Sequence, residues 1–166
     1  MGLKNTAMKF FMAEEVEERF HSRYNAKQKT YRYVINNSKQ GTAIYRDLEC
    51  HIPMDLNIEE MQKAAKYFEG EHDFKAFKAS GTSSKSSVRT IYKLDVIEGE
   101  GRIKIEITGN GFLYNMVRII SGTLVDVGLG KIEPESIPQI IESKNRDNAG
   151  KTLPPQGLYL VKVYYE

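Results

Sequence analysis

The chain has 166 residues, 40% of them hydrophobic and 28% charged, enough to bury roughly 70% of the unfolded surface in one domain, which excludes a disordered chain. Its 24 Lys and Arg against 22 Asp and Glu leave a formal charge of +2, so the total alone implies no polyanionic partner. No apolar run approaches the ~20 residues of a membrane span, the first residues lack the charged-then-apolar order of a secretory leader, and the single Cys50 cannot form an internal disulfide. A cytoplasmic protein is expected.

In chain order, Lys9 to Ala13 reads as a short strand. Lys29 to Ile35 alternates, with Tyr31, Tyr33 and Ile35 on one face and Thr30, Arg32 and Val34 on the other. The turn-rich Asn36 to Gly41 predicts a return through Thr42 to Tyr45 as a hairpin partner. Asp55 or Asn57 can cap a helix over Ile58 to Phe68, whose apolar stripe is Ile58, Met61, Ala65 and Phe68. Gly70 is a stop signal, and a short helical turn is expected over Asp73 to Ala79. Val88 to Ile97 and Arg102 to Thr108 alternate on either side of Glu98-Gly-Glu-Gly101, which predicts a second hairpin. Phe112 to Val127 reads as a buried helix. Pro134 opens the next helix, with Ile137, Ile140 and Ile141 inward, and Leu158 to Tyr165 is the last strand. The order predicts an α+β fold, an antiparallel sheet with helices packed on one face, as a single domain over residues 1–166.

Charge is segregated. Arg19, Arg23, Lys27, Lys29, Arg32, Lys39 and Arg46 form one block without an acid, and Lys75, Lys78, Lys85, Arg89 and Lys93 form another. Two such blocks are consistent with a basic face for phosphates and equally with solvated strand edges that resist pairing. Arg118 lies in the buried helix on a face with Tyr114, Asn115, Ser121 and Gly122, a narrow polar groove on an apolar element. A guanidinium keeps its proton, so a buried one needs an anion; the plainer reading is an ion pair with one of the chain's own acids. Tyr31 and Tyr33, among basic residues, suit base stacking, or core packing for at least one of them. His21, His51 and His72 lack metal-ligand spacing, no Gly-rich phosphate loop or Ser or Cys nucleophile signature is present, and the Met1 to Thr6 match to a myristoylation pattern is short enough to arise by chance.

In order, Phe20-His-Ser-Arg-Tyr-Asn-Ala26, Lys29-Thr-Tyr-Arg-Tyr33, Gly70-Glu-His-Asp-Phe-Lys-Ala-Phe77, Ser87-Val-Arg-Thr-Ile91, Asn110-Gly-Phe-Leu-Tyr-Asn-Met-Val-Arg118 and Pro155-Gln-Gly-Leu-Tyr-Leu160 resemble the tRNA pseudouridine synthase A (TruA) family. The resemblance covers almost the whole chain and implies an enzyme that isomerises uridine in the anticodon stem-loop of tRNA, without metal or organic cofactor, as a homodimer. In that family an Asp is the nucleophile, an Arg pairs with it and a Tyr stacks on the target base. By position Arg118 matches that Arg and Tyr31 that Tyr; Arg23, Lys27, Lys29, Arg32, Lys85 and Arg89 are the RNA-binding candidates. The departure lies in the nucleophile. The family's Gly-Arg-Thr-Asp-Ala-Gly motif is absent, and Asp47, Asp55, Asp73, Asp95, Asp126 and Asp147 all lack that context. The match begins with the family's second half, so the chain is expected to be the C-terminal part, inactive alone and self-associating through surfaces that half would cover, with the N-terminal half either encoded in frame upstream or supplied separately. The alternatives are a non-catalytic RNA-binding module and a remnant that only dimerises.

Overall fold

The computed structural model describes residues 15–22, 24–41, 43–81 and 85–165. The strand expected at Lys9 to Ala13, the Met1 to Thr6 pattern and Arg23 lie outside the described residues.

Strand β1 (Gln28–Asn36) forms the axis of the sheet. Along one edge it pairs antiparallel with β5 (Arg102–Gly109), from Lys29 opposite Gly109 to Asn36 opposite Arg102. The other edge is shared. Residues Gln28 to Tyr33 pair antiparallel with β6 (Leu158–Tyr164), with a bulge between Thr30 and Tyr31, while Ile35 and Asn36 pair parallel with the two-residue β2 (Cys50–His51). Beyond β5 follow β4 (Val88–Gly99) and β3 (Gly70–Asp73), both antiparallel. The β4–β5 hairpin forms as expected. Gly99 pairs with Arg102, and Glu100 and Gly101 at the tip both take positive φ, 53° and 71°, the twist that suits a two-residue hairpin.

The expected hairpin partner at Thr42 to Tyr45 does not form. Thr42 is outside the described residues, and Ala43 to Leu48 is a run of turns. The reason is occupancy, since β5, β6 and β2 use both edges of β1. The turn-rich segment instead packs Tyr45 under the Arg102 guanidinium, 5.0 Å from its ring centre, and brings Glu49 to Arg102 Nε at 2.5 Å.

The period-2 pattern decides which face is covered. Ile103, Ile105 and Ile107 of β5 and Tyr33 and Ile35 of β1 are fully buried beneath the helices. On the opposite face Thr30 meets Thr108 at 2.8 Å, and Arg32 holds Glu106 with Nε at 2.7 Å. Helix α1 (Ile58–Lys66) is capped by Asn57, whose Oδ1 accepts from Glu60 N at 3.1 Å; Glu59 and Glu60 in its first turn and Lys63 and Lys66 in its last suit the helix dipole. Met61, Ala64 and Ala65 are buried, and Gln62 reaches the Val96 carbonyl of β4 at 2.9 Å. Helix α2 (Met116–Gly128) is buried at every residue except Arg118 and Asp126. Pro134 begins a single 3-10 turn that leads into α3 (Ile137–Ser143). No helix among the described residues is long and apolar enough to cross a membrane.

Helix α2 starts four residues later than its apolar run suggests. Asn115 sits in the left-handed region (φ 58°, ψ 9°), which ends any helical run from Phe112; Asn tolerates that region better than most residues.

Asp73 joins the end of β3 to α3. Its carboxylate accepts from Ser87 Oγ at 2.5 Å and Lys75 N at 3.2 Å, and pairs with Lys144 at 2.9 Å. The Ser87 hydroxyl first, and Lys144 next, hold this carboxyl below its ordinary 3.8. A depressed carboxyl stabilises the fold above the unfolded value, and that contribution is lost as pH falls through the folded value. Asp73→Asn should therefore lower the urea midpoint near neutral pH, and the gap from wild type should close once pH falls well below about 4. A gap of unchanged size at low pH would contradict this.

Candidate functional site

The site lies where the start of α2 meets the first half of β1. Tyr31 and Tyr33 point to the same face, but burial separates them. Tyr33 is completely buried and donates from its hydroxyl to the Pro154 carbonyl at 2.6 Å. Burial chiefly, with the neighbouring Cys50 thiol, pushes this phenol far above its ordinary value, and the nearby Arg118 charge opposes the shift. Tyr33 is thus a neutral core residue, and burial likewise pushes the Cys50 thiol up. Tyr31 is only half-buried. Its ring stands edge-on to Phe112, with centres 5.2 Å apart, and its partner across the β6 ladder is Leu160, 53% exposed. An aromatic face beside an exposed Leu offers an apolar seat for a flat ring. Leu160 is missed by sequence reasoning, because only the pairing of β1 with the last strand places it there.

Arg118 occupies the first turn of α2, half-buried. Its Nε donates to the Leu153 carbonyl at 2.6 Å and its Nη1 to Asn115 Oδ1 at 2.9 Å. Asn115 is the helix N-cap, yet its side chain caps no backbone N–H because its oxygen is turned to the guanidinium. A vacated cap costs about 0.5–2 kcal/mol, so helix stability is spent to fix the direction of Arg118. Among the described residues the guanidinium has no carboxylate partner. Asp47, Asp73, Asp95 and Asp126 are paired with Arg46, Lys144, Lys93 and Lys131, and Asp55 and Asp147 are exposed. The internal ion pair that the sequence leaves open is not made with any described residue; two neutral acceptors hold the group in place.

The polar groove expected along α2 is filled by the chain itself. Residues 146–154 cross the helix as a strap, close enough that a Cβ on Gly122 would lie 1.8 Å from the Lys151 carbonyl oxygen. Ser121 is fully buried, with no hydrogen-bond partner for its hydroxyl. What is left of the groove is the Arg118 end.

The basic candidates divide. Lys29 and Arg89 line one shallow cleft of about 330 Å³ with Tyr24, Asn110, Gly111 and Phe112, and Phe112 joins that cleft to Tyr31. Arg89 is steered by bonds from Nη1 to the Ser86 and Val88 carbonyls, at 3.0 and 2.5 Å. Lys27 and Lys85 are exposed. Arg32 lies on the opposite face of the sheet, held by Glu106. The described residues contain no cluster of three metal-ligating side chains. His51 Nε2 and His72 Nε2 each meet a carbonyl, of Ser38 at 2.9 Å and of Glu69 at 3.0 Å.

A mixed, mostly antiparallel sheet with helices on one face carries Tyr31, and the first turn of α2 holds a directed Arg with no carboxylate partner among the described residues. The sequence profile of the tRNA pseudouridine synthase family matches residues 64–166, and the chain belongs to that family. It is 56% identical over 154 residues to the tRNA pseudouridine synthase A of Ruminiclostridium cellulolyticum, covering 92% of this chain and 63% of that protein. It is 54% identical over 153 residues to that of Acetivibrio thermocellus, with 92% and 63% covered, and 46% identical over 154 residues to that of Bacillus subtilis, with 93% and 62% covered. The chain thus spans less than two thirds of the length of these curated relatives.

Proposed function

We propose that this chain provides the Arg- and Tyr-bearing side of a uridine-isomerising pocket acting on tRNA, and that a polypeptide segment carrying the Gly-Arg-Thr-Asp-Ala-Gly motif supplies the nucleophile. In this reading residues 1–166 form one domain equivalent to the C-terminal part of a TruA-like synthase. The carrying observation is Arg118, oriented by two neutral acceptors and lacking an acid among the described residues. A guanidinium held by Nε and one Nη keeps further N–H groups for a carboxylate. The incoming Asp would attack the ribose while the N1–C1′ bond of uridine breaks. The uracil then turns against Tyr31 and Leu160, C5 bonds to C1′ as the Asp–C1′ ester bond breaks and frees the carboxylate, the C5 proton leaves to solvent and N1 takes up a proton. No cofactor is required by that balance. Lys29 and Arg89, with Lys27 and Lys85 further out, hold the phosphates; Arg32 belongs to this set only if RNA also reaches the other face of the sheet. The mature enzyme of this reading is a cytoplasmic homodimer.

The assay follows from the chemistry, because isomerisation releases the C5 hydrogen of uridine. With tRNA tritiated at C5 of uridine, the chain mixed with a polypeptide containing the Asp motif should release tritium to water. Tyr31→Ala should slow release roughly 10-fold or more, since stacking one base on an aromatic ring is worth about 1–3 kcal/mol, whereas Tyr31→Phe should stay near wild type. A mixture that binds tRNA with strong salt dependence yet never releases tritium would instead mark a non-catalytic RNA-binding module.

A further inference from the structure

Arg118 is directed by a carbonyl, so whatever fixes that carbonyl fixes the guanidinium. The carbonyl belongs to Leu153, in the strap over α2. Leu153 is clasped twice by one residue: its N–H donates to the Arg118 carbonyl at 3.3 Å, and its own carbonyl accepts from Arg118 Nε at 2.6 Å. The next carbonyl, of Pro154, accepts from Tyr33. Upstream, the strap is tied at two points. Arg146 folds back over it, donating from Nη1 to the Gly150 carbonyl at 2.9 Å and the Ala149 carbonyl at 3.3 Å, and from Nη2 to Thr152 Oγ1 at 3.0 Å. From the helix side, Thr123 Oγ1 accepts from Gly150 N at 2.9 Å while donating to the Ile119 carbonyl. Arg146 carries no carboxylate partner among the described residues; its donors go to the strap.

We infer that Arg146, with Thr123 as its anchor on α2, is a positioning residue for Arg118: it sets the strap so that the Leu153 carbonyl aims the guanidinium at the site of the incoming carboxylate. A planar fork suits this task, since it serves three acceptors in fixed directions, which an ammonium cannot do. The geometric part of the inference stands on the strap alone; its effect on catalysis rests on the proposed function.

The two parts are tested separately. In the chain as it exists, the Arg118 Nε–H should give a protected 15N–1H signal through its bond to Leu153. Arg146→Lys should speed exchange of that proton at least 10-fold while leaving the backbone amide signals of β4 and β5 in place. Thr123→Val, which keeps shape and removes the acceptor, should do the same from the other side. An Arg118 Nε–H signal unchanged in both variants would overturn the inference. In the complemented enzyme, Arg146→Lys should lower kcat about 10-fold with KM for tRNA within about twofold. A rise in KM at constant kcat would contradict the positioning role, whereas an absence of turnover in the wild-type mixture would reject the functional reading and leave the exchange result standing.

Discussion

Gly122→Ala is expected to destabilise the chain by roughly 3 kcal/mol, a fall in Tm on the order of 10 °C for a domain of this size. The added methyl would sit 1.8 Å from the Lys151 carbonyl oxygen and 2.9 Å from its carbon. Both belong to the backbone, so no side-chain rotation relieves the clash, and either α2 or the strap must move by more than an ångström. Because the strap also carries the Leu153 carbonyl, the same substitution should disturb Arg118. Gly99→Ala is the control: nothing lies within 4 Å of a Cβ placed there, and a change within about 0.5 kcal/mol is expected. Thermal unfolding of the two variants measures the contrast, and equal Tm values would contradict the close crossing.

Arg118→Ala should reduce isomerisation in the complemented enzyme by about 10²–10⁴-fold, the scale of leaving a desolvated charge without its partner, about 3–5 kcal/mol. Arg118→Lys should recover little of this. An ammonium keeps the charge but cannot bond the Leu153 carbonyl and Asn115 Oδ1 while presenting a flat pair of donors to a carboxylate. Neither change removes an ion pair made among the described residues, so the unfolding midpoint should move much less than the rate. Tritium release from C5-labelled tRNA, read beside thermal unfolding, separates the two effects.

Much of this was readable from the sequence wherever the signal is local. The β4–β5 hairpin follows from two alternating runs around Glu100-Gly101, and α1 from its stripe and the Asn57 cap. The family resemblance rests on short ordered motifs, and one of them, Asn110 to Arg118, holds both Phe112, which meets the Tyr31 ring, and Asn115, which meets the Arg118 guanidinium. What failed was non-local. The hairpin at Thr42 to Tyr45 looked plausible because nothing nearby shows that β6, more than a hundred residues later, uses that edge of β1. The start of α2 is not legible in the sequence, because an apolar run says nothing of one Asn in a left-handed conformation. Identical spacing made Tyr31 and Tyr33 look alike, and only Gly157 crossing over the Tyr33 ring tells them apart: a Cβ there would lie 2.8 Å from Tyr33 Cζ. The acceptors of Arg118 were hidden for the same reason, since a backbone carbonyl leaves no trace in residue type.

The central claim is that Arg118 is held ready for a carboxylate that the described residues do not provide. Its most direct test is a single-turnover experiment with the purified chain alone, in excess over C5-tritiated tRNA. The account predicts no tritium release above background, with release appearing when the Asp-bearing polypeptide is added and failing when that Asp is replaced by Asn. Release by the chain alone would contradict it.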